Sequence, residues 1–162
     1  MRVILLLWVG MLLGCSSKDY SPIFIEQAGV ELGVDFENTL LESDSFNIIR
    51  YLYFYNGAGV ATGDLTGDGL PEVILGGNMR PTALYWNRTT NENGQTRIQF
   101  EDITQESGLG SLSGWTTGIS LGDVNNDGWL DIYISQVSYK NIRGSNKLLV
   151  NRGLSNGVPV FE

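Results

Sequence analysis

The stretch Asp64-Leu65-Thr66-Gly67-Asp68-Gly69-Leu70-Pro71-Glu72 returns later in the chain as Asp123-Val124-Asn125-Asn126-Asp127-Gly128-Trp129-Leu130-Asp131. Both read D-x-x-x-D-G-x-x-[D/E]. The likeness extends outward. Upstream, Gly59-Val60-Ala61-Thr62-Gly63 matches Gly118-Ile119-Ser120-Leu121-Gly122. Downstream, Val73-Ile74-Leu75 matches Ile132-Tyr133-Ile134, Leu84 to Arg88 matches Leu148 to Arg152, and Phe100-Glu101 matches Phe161-Glu162. The spacing between matched blocks changes along the chain, so insertions fall between conserved pieces, as in a repeat whose loops vary.

Each repeat carries four short apolar segments, at 60–62, 72–75, 83–86 and 98–102, then at 118–121, 131–136, 147–150 and from 158 onward. Gly, Asn, Asp or Pro bound each one, which predicts strands rather than helices. Four strands per repeat is the pattern of a propeller blade. The expected fold is all-β: two tandem four-stranded antiparallel blades of an incomplete propeller, preceded by a signal peptide and an N-terminal extension. The polar segments 88–97 and 137–146 read as surface loops. The composition agrees. The 162 residues include 21 glycines but only 4 prolines, and glycine at about twice its usual share suits many tight turns.

Charge and residue inventory exclude several functions. The net charge is −8, the opposite of a nucleic-acid footprint. There is no histidine, which removes the commonest general base and zinc ligand and every Ser-His or Cys-His pair. The single cysteine, Cys15, forbids an internal disulfide. No catalytic residue is assigned.

The N-terminus reads as a targeting segment. Arg2 precedes the apolar run Val3 to Leu13, about half the roughly 20 residues a spanning helix needs, and this fits a secretory signal peptide. The run ends in Leu12-Leu13-Gly14-Cys15, which resembles the lipobox of bacterial lipoproteins. That resemblance implies cleavage before Cys15 and lipidation of Cys15, with acyl chains holding the domain at a membrane. Ser16 resembles the class sent to the outer membrane, and Ser17-Lys18-Asp19 resembles surface-export signals of some Bacteroidetes lipoproteins. Expected boundaries are 1–14 for the signal peptide, 15–55 for the extension, and 56–110 and 111–162 for the two repeats. In the extension, 21–34 has room for a short helix. Tyr51-Leu52-Tyr53-Phe54-Tyr55 is strongly β-prone, and a packed N-terminal strand is favoured over a carbohydrate-stacking tyrosine stripe.

The two nine-residue loops read as calcium sites, since calcium takes six to eight hard oxygens. The first offers Asp64, Thr66, Asp68, the carbonyl of Leu70, and Glu72. The second offers Asp123, Asn125, Asp127, the carbonyl of Trp129, and Asp131. Gly69 and Gly128 supply the sharp turn, where positive φ is expected. An EF-hand would need Glu at position 12; these loops have Leu75 and Ile134 there. The plain alternative is a pair of acidic turns. Thr66 makes the first site the poorer one.

These loops, with Gly63 and Val73 and with Gly122 and Ile132 around them, resemble FG-GAP (VCBS) repeats, the calcium-binding blades of the integrin α-subunit propeller. Thr66 and Glu72 depart from the usual Asn and Asp. Phe36-Glu37-Asn38 followed by Phe54 to Ala61 resembles the opening of bacterial proteins similar to cartilage acidic protein, the ASPIC/UnbV group. The resemblance implies a lipid-anchored, calcium-braced, non-catalytic adhesion module of the bacterial cell envelope, at the outer membrane or cell surface. Its partner would be an extracellular protein or glycan. The alternative is part of an extracellular enzyme acting on polysaccharide or phosphoester, for which Glu42 and Asp44 are the remaining acids. Two blades do not close a ring of about 4–8, so the chain is expected to be the N-terminal piece of a longer protein.

Overall fold

Short apolar segments set between glycine turns fold as antiparallel strands here, and their order builds two blades. A computed structural model describes residues 23–140 and 142–162. The apolar run and Cys15, and with them the signal-peptide and lipidation expectations, lie outside the described residues. In the first blade β1 (Val60–Gly63), β2 (Glu72–Leu75) and β3 (Ala83–Asn87) succeed one another. A small hairpin, β4 (Thr90–Glu92) and β5 (Gln95–Arg97), then precedes β6 (Phe100–Asp102). The sheet order is β1-β2-β3-β6. Its register pairs Thr62 with Val73, Ile74 with Leu84, and Trp86 with Glu101.

The second blade has β7 (Trp115–Gly122), β8 (Asp131–Val137) and β9 (Lys147–Leu149) in one three-stranded sheet. β10 (Asn151–Ser155) and β11 (Val158–Phe161) form a separate pair. The expected third and fourth strands are therefore split at Val150. The break is small: Val150 and Glu162 exchange both backbone hydrogen bonds at 2.9 Å. Past it, Gly153 takes φ 85° and the β10–β11 register shifts, the mark of a bulge that bends a strand.

Two expectations are corrected. The segment 88–97 is a hairpin rather than an irregular loop. Asn93 and Gly94, both at positive φ, form its turn, the Asn-Gly pair that suits tight hairpins. Tyr51 to Tyr55 is not a strand. Its backbone turns, with the N–H of Tyr51 donating to Asn47 and that of Phe54 to Tyr51. Tyr51 and Phe54 are buried while Leu52, Tyr53 and Tyr55 are exposed, a three-residue spacing that a period-two reading does not produce. The short helix sought in 21–34 is a single 3-10 turn, Gly29–Leu32.

The main core lies between the blades, where Leu65, Ile74 and Leu84 of the first meet Ile132 and Ile134 of the second, with Ile103 and Leu109. A second cluster joins the N-terminal segment to the second blade: Tyr51 and Phe54 pack on Trp115, flanked by Phe46, Val137, Tyr139 and Ile142. Polar ties fix the same segment. Asn38 and Asn78 bond reciprocally, at 2.6 Å side chain to side chain and 3.0 Å from the backbone of Asn78. The hydroxyl of Tyr85 donates to Asp35 at 3.0 Å.

Candidate functional site: two matched acidic loops

Each nine-residue loop runs from the end of one strand to the start of the next, β1 to β2 and β7 to β8. The chain reverses through two left-handed residues. In the first loop these are Gly67 and Gly69, and in the second Asn126 and Gly128. The expected positive φ at Gly69 and Gly128 is present; the second left-handed position, filled by Gly67 and Asn126, is not evident from the pattern.

Carboxylates hold the turn by accepting backbone N–H groups. At position 1, Asp64 accepts from Gly67 at 2.6 Å, from Asp68 at 3.2 Å and from Gly69 at 2.9 Å. Asp123 accepts from Asp127 at 3.1 Å and Gly128 at 2.8 Å. These bonds favour its ionised form and, with that of Gly128 the largest influence, hold Asp123 below the usual carboxylate range. At position 5, Asp68 accepts from Leu70 at 2.8 Å and Asp127 from Trp129 at 2.9 Å. At position 3, Asn125 accepts from the backbone of Asp127 and donates to its side chain, whereas Thr66 is buried with its hydroxyl toward Asp64 at 3.5 Å.

The position-9 acids behave differently. Both are buried beneath the loop. Glu72 Oε2 accepts from Leu65 at 2.6 Å and Thr66 at 3.2 Å. Its Oε1 is buried without a hydrogen-bond partner. Burial is the main cause that pushes Glu72 up to about 7, against the lowering effect of the backbone N–H groups around it. Asp131, one methylene shorter, divides its oxygens: Oδ2 accepts from Val124 at 2.8 Å and Oδ1 from Asn151 at 2.8 Å. Among the described residues no three acidic side chains group together as a metal cluster. The donor chemistry still suits a hard cation. Each loop offers three carboxylates, and the orphaned Glu72 Oε1 is an oxygen in want of a partner.

Two residues outside the loops complete the motif. Asn87 donates to the carbonyl of Pro71 at 3.0 Å, and Asn151 to that of Leu130 at 3.2 Å; both carbonyls are at position 8. Each asparagine also accepts the N–H two residues on, from Thr89 and from Gly153. Asn151 reaches further, donating to Leu65 of the first loop at 3.0 Å. Trp129 lies beside Gly67 and Gly153, so the two loops are neighbours. The arginine after each asparagine pairs with the acid closing its repeat: Arg88 with Glu101 at 3.5 Å and Arg152 with Glu162 at 2.7 Å. The equivalence of Asn87-Arg88 and Asn151-Arg152 is visible in the sequence; their role is not. Glu42 and Asp44 are exposed. Glu42 accepts the Tyr55 hydroxyl at 2.8 Å, and Asp44 supplies only its backbone carbonyl, to Arg50.

Residues 64–134 match the family model described as FG-GAP-like repeat. The match covers both acidic loops and the strands β2 and β7. No curated protein and no solved structure matches the chain.

Proposed function

We propose that this FG-GAP-like pair of blades is a calcium-braced, non-catalytic binding module, a VCBS-type relative of the ASPIC/UnbV group. In this reading Cys15 carries a lipid anchor, and the chain sits in a bacterial cell envelope, at the outer membrane or cell surface. There it engages an extracellular protein or glycan. The observation that carries the calcium part is the pairing of two equivalent loops, each with an acid at positions 1, 5 and 9, the last buried under the turn. Asp64, Asp68, Glu72, Asp123, Asp127 and Asp131 would hold the ions, with Thr66, Asn125 and the carbonyls of Leu70 and Trp129. Calcium there would offset carboxylate repulsion and brace one strand against the next. The blades supply a rigid frame, and partner contacts fall to the surface loops between strands.

The test is thermal melting in chelator, in millimolar calcium and in millimolar magnesium. Extracellular modules bind calcium at about 10⁻⁴–10⁻³ M, and calcium at ten times Kd adds about 1.4 kcal/mol per site. A calcium-specific rise that disappears in the Asp64→Ala, Asp123→Ala double variant supports the reading. No rise in the parent defeats it. For the anchor, Cys15→Ala should leave an uncleaved or soluble form; a parent chain without lipid label refutes it.

A further inference from the structure

The cations of this acidic chain are unevenly placed. Of its ten Lys and Arg residues, Arg2 and Lys18 lie outside the described residues. Half of the other eight, Arg50, Arg80, Lys140 and Arg143, line three pockets that share lining residues. The main apolar hollow, about 450 Å³, is framed by Met79, Arg80, Pro81, Leu112, Trp115 and Arg143. Phe46 and Ile142 are shared with a second hollow, and Lys140 joins that one to a third containing Arg50. Shared lining residues thus link the three hollows, which are taken together as a groove. Asp44 is the single acid among its lining residues.

None of these cations is in an ion pair among the described residues, although Asp44 lines a hollow with Arg50, and Asp102 and Glu106 line another with Arg80. Arg80 lies over the ring of Phe36 at 4.4 Å and donates one bond, to the carbonyl of Glu37 at 2.9 Å. Arg50 donates its Nε to the carbonyl of Asp44 at 2.7 Å. Lys140 lies over the ring of Tyr139 at 5.2 Å. Among the described residues the ion pairs are Arg88–Glu101 and Arg152–Glu162, and neither uses a groove cation. A guanidinium fixed by one backbone carbonyl keeps further N–H donors in a fork that matches a carboxylate.

The wall chemistry narrows the ligand. Phe46, Met79, Pro81, Leu112, Trp115 and Ile142 make the main hollow chiefly apolar. Its amide, Asn78, is fully engaged: it donates to Gly57 and Thr116, and its oxygen accepts from Asn38. A sugar needs acceptors for its hydroxyls, whereas an apolar side chain needs none.

We propose that this groove binds an acidic peptide segment, seating one aromatic or large aliphatic side chain in the Met79–Trp115 hollow while flanking carboxylates meet Arg80, Arg143, Lys140 and Arg50. The inference rests on the binding-module reading and names its partner class.

The test is fluorescence anisotropy with the full chain in saturating calcium. The probe is a fluorescein-labelled decapeptide carrying a central Phe among Asp and Glu. One control peptide has Asn and Gln in place of the acids, another has Ala in place of Phe, and oligogalacturonate is the glycan competitor. The acidic Phe peptide should bind at least about ten-fold tighter than either control, with affinity falling as salt rises. Arg80→Gln and Arg143→Gln should each weaken it about three- to ten-fold, and Arg97→Gln, which lines none of the three hollows, should not. Arg143 makes no hydrogen bond among the described residues, so its variant separates ligand loss from misfolding, with melting as the check. Equal binding of acidic and amide peptides, or indifference to both arginine changes, overturns the assignment. So does arginine-dependent binding of oligogalacturonate without the peptide, although that result leaves the binding-module reading standing. Calcium melting is read separately, so loss of the calcium response with peptide binding intact would instead remove the brace.

Discussion

Gly59 and Gly118 occupy equivalent places in the two repeats, yet alanine should be costly at one and harmless at the other. A Cβ added at Gly59 would lie 2.6 Å from the backbone nitrogen of Ile119 and 2.7 Å from Cα of Gly118. Both neighbours are main chain, so no rotamer change relieves the clash. Strand β7 would have to move away from β1, opening the core between blades. At Gly118 the nearest atom is Cβ of Ser135 at 3.7 Å, an ordinary contact. Neither glycine has positive φ, so neither substitution adds backbone strain. Overpacking of this kind costs about 1–3 kcal/mol, while Gly→Ala at a compatible site gains about 0.4–1 kcal/mol through the unfolded state. For a chain of this size each kcal/mol moves Tm by about 2–4 °C. Gly59→Ala should therefore lower Tm by several degrees, and Gly118→Ala should leave it unchanged or raise it slightly. The assay is thermal and urea unfolding of both variants beside the parent. Equal shifts for the two, or a Gly59→Ala protein as stable as the parent, would refute the idea that the blades meet backbone to backbone at this point.

Other outcomes follow from the same geometry. Asn151→Ala removes bonds to Leu65 and Leu130 and from Gly153 in a buried setting, and should cost about 2–4 kcal/mol in urea unfolding; Asn87→Ala, lacking the tie between loops, should cost less. On the proposed calcium reading, Asp127→Ala should reduce the calcium-dependent Tm rise more than Thr66→Ala, because it removes a charged ligand from the better loop. Tyr85 is pushed up to about 12, by burial first and its bond to Asp35 second. The folded state keeps this proton where the unfolded chain loses it, so the contribution is complete below about pH 10 and disappears as pH climbs toward 12. The loss should be about 1–2 kcal/mol, allowing for a hydroxyl that meets a part-buried carboxylate. A Tyr85→Phe variant should show a flatter alkaline limb in a pH series of urea midpoints.

The strands were legible because a blade leaves a repeated local trace. The segments 60–62, 72–75 and 83–86 correspond to β1, β2 and β3, and 118–121 and 131–136 lie within β7 and β8. The hairpin at β4–β5 was missed although Asn93-Gly94 signals it; its strands are polar and exposed, so they carry no hydrophobic alternation. Tyr51 to Tyr55 misled because β-propensity measures fit to a half-buried surface, and Tyr51 and Phe54 find that surface on Trp115 from a turn. The cationic groove was illegible. Its walls come from Phe46, the Met79–Pro81 loop, the 110–115 segment and Arg143, and no local pattern joins them.

The loops themselves bear on how strong a calcium effect to expect. In a metal-dependent mini-domain the ligands have no fixed arrangement without the ion, and removing it unfolds the protein. Here the turn is already closed by hydrogen bonds from backbone N–H groups to Asp64 and Asp123 at one end and to Glu72 and Asp131 at the other. The asparagines on β3 and β10 fasten position 8 from outside. Carboxylate oxygens accept more than one bond, so these contacts and an ion are compatible. On the proposed reading, calcium adds to a turn that exists without it. Chelator should then lower Tm by a few degrees and leave a cooperative transition. Within the poorer first loop, Glu72 keeps one buried oxygen without a hydrogen-bond partner. Asp131 has already committed both of its oxygens to Val124 and Asn151. Matching loops thus satisfy their position-9 acids differently through a single methylene, and on the proposed reading that difference sets what each oxygen has left to offer an ion.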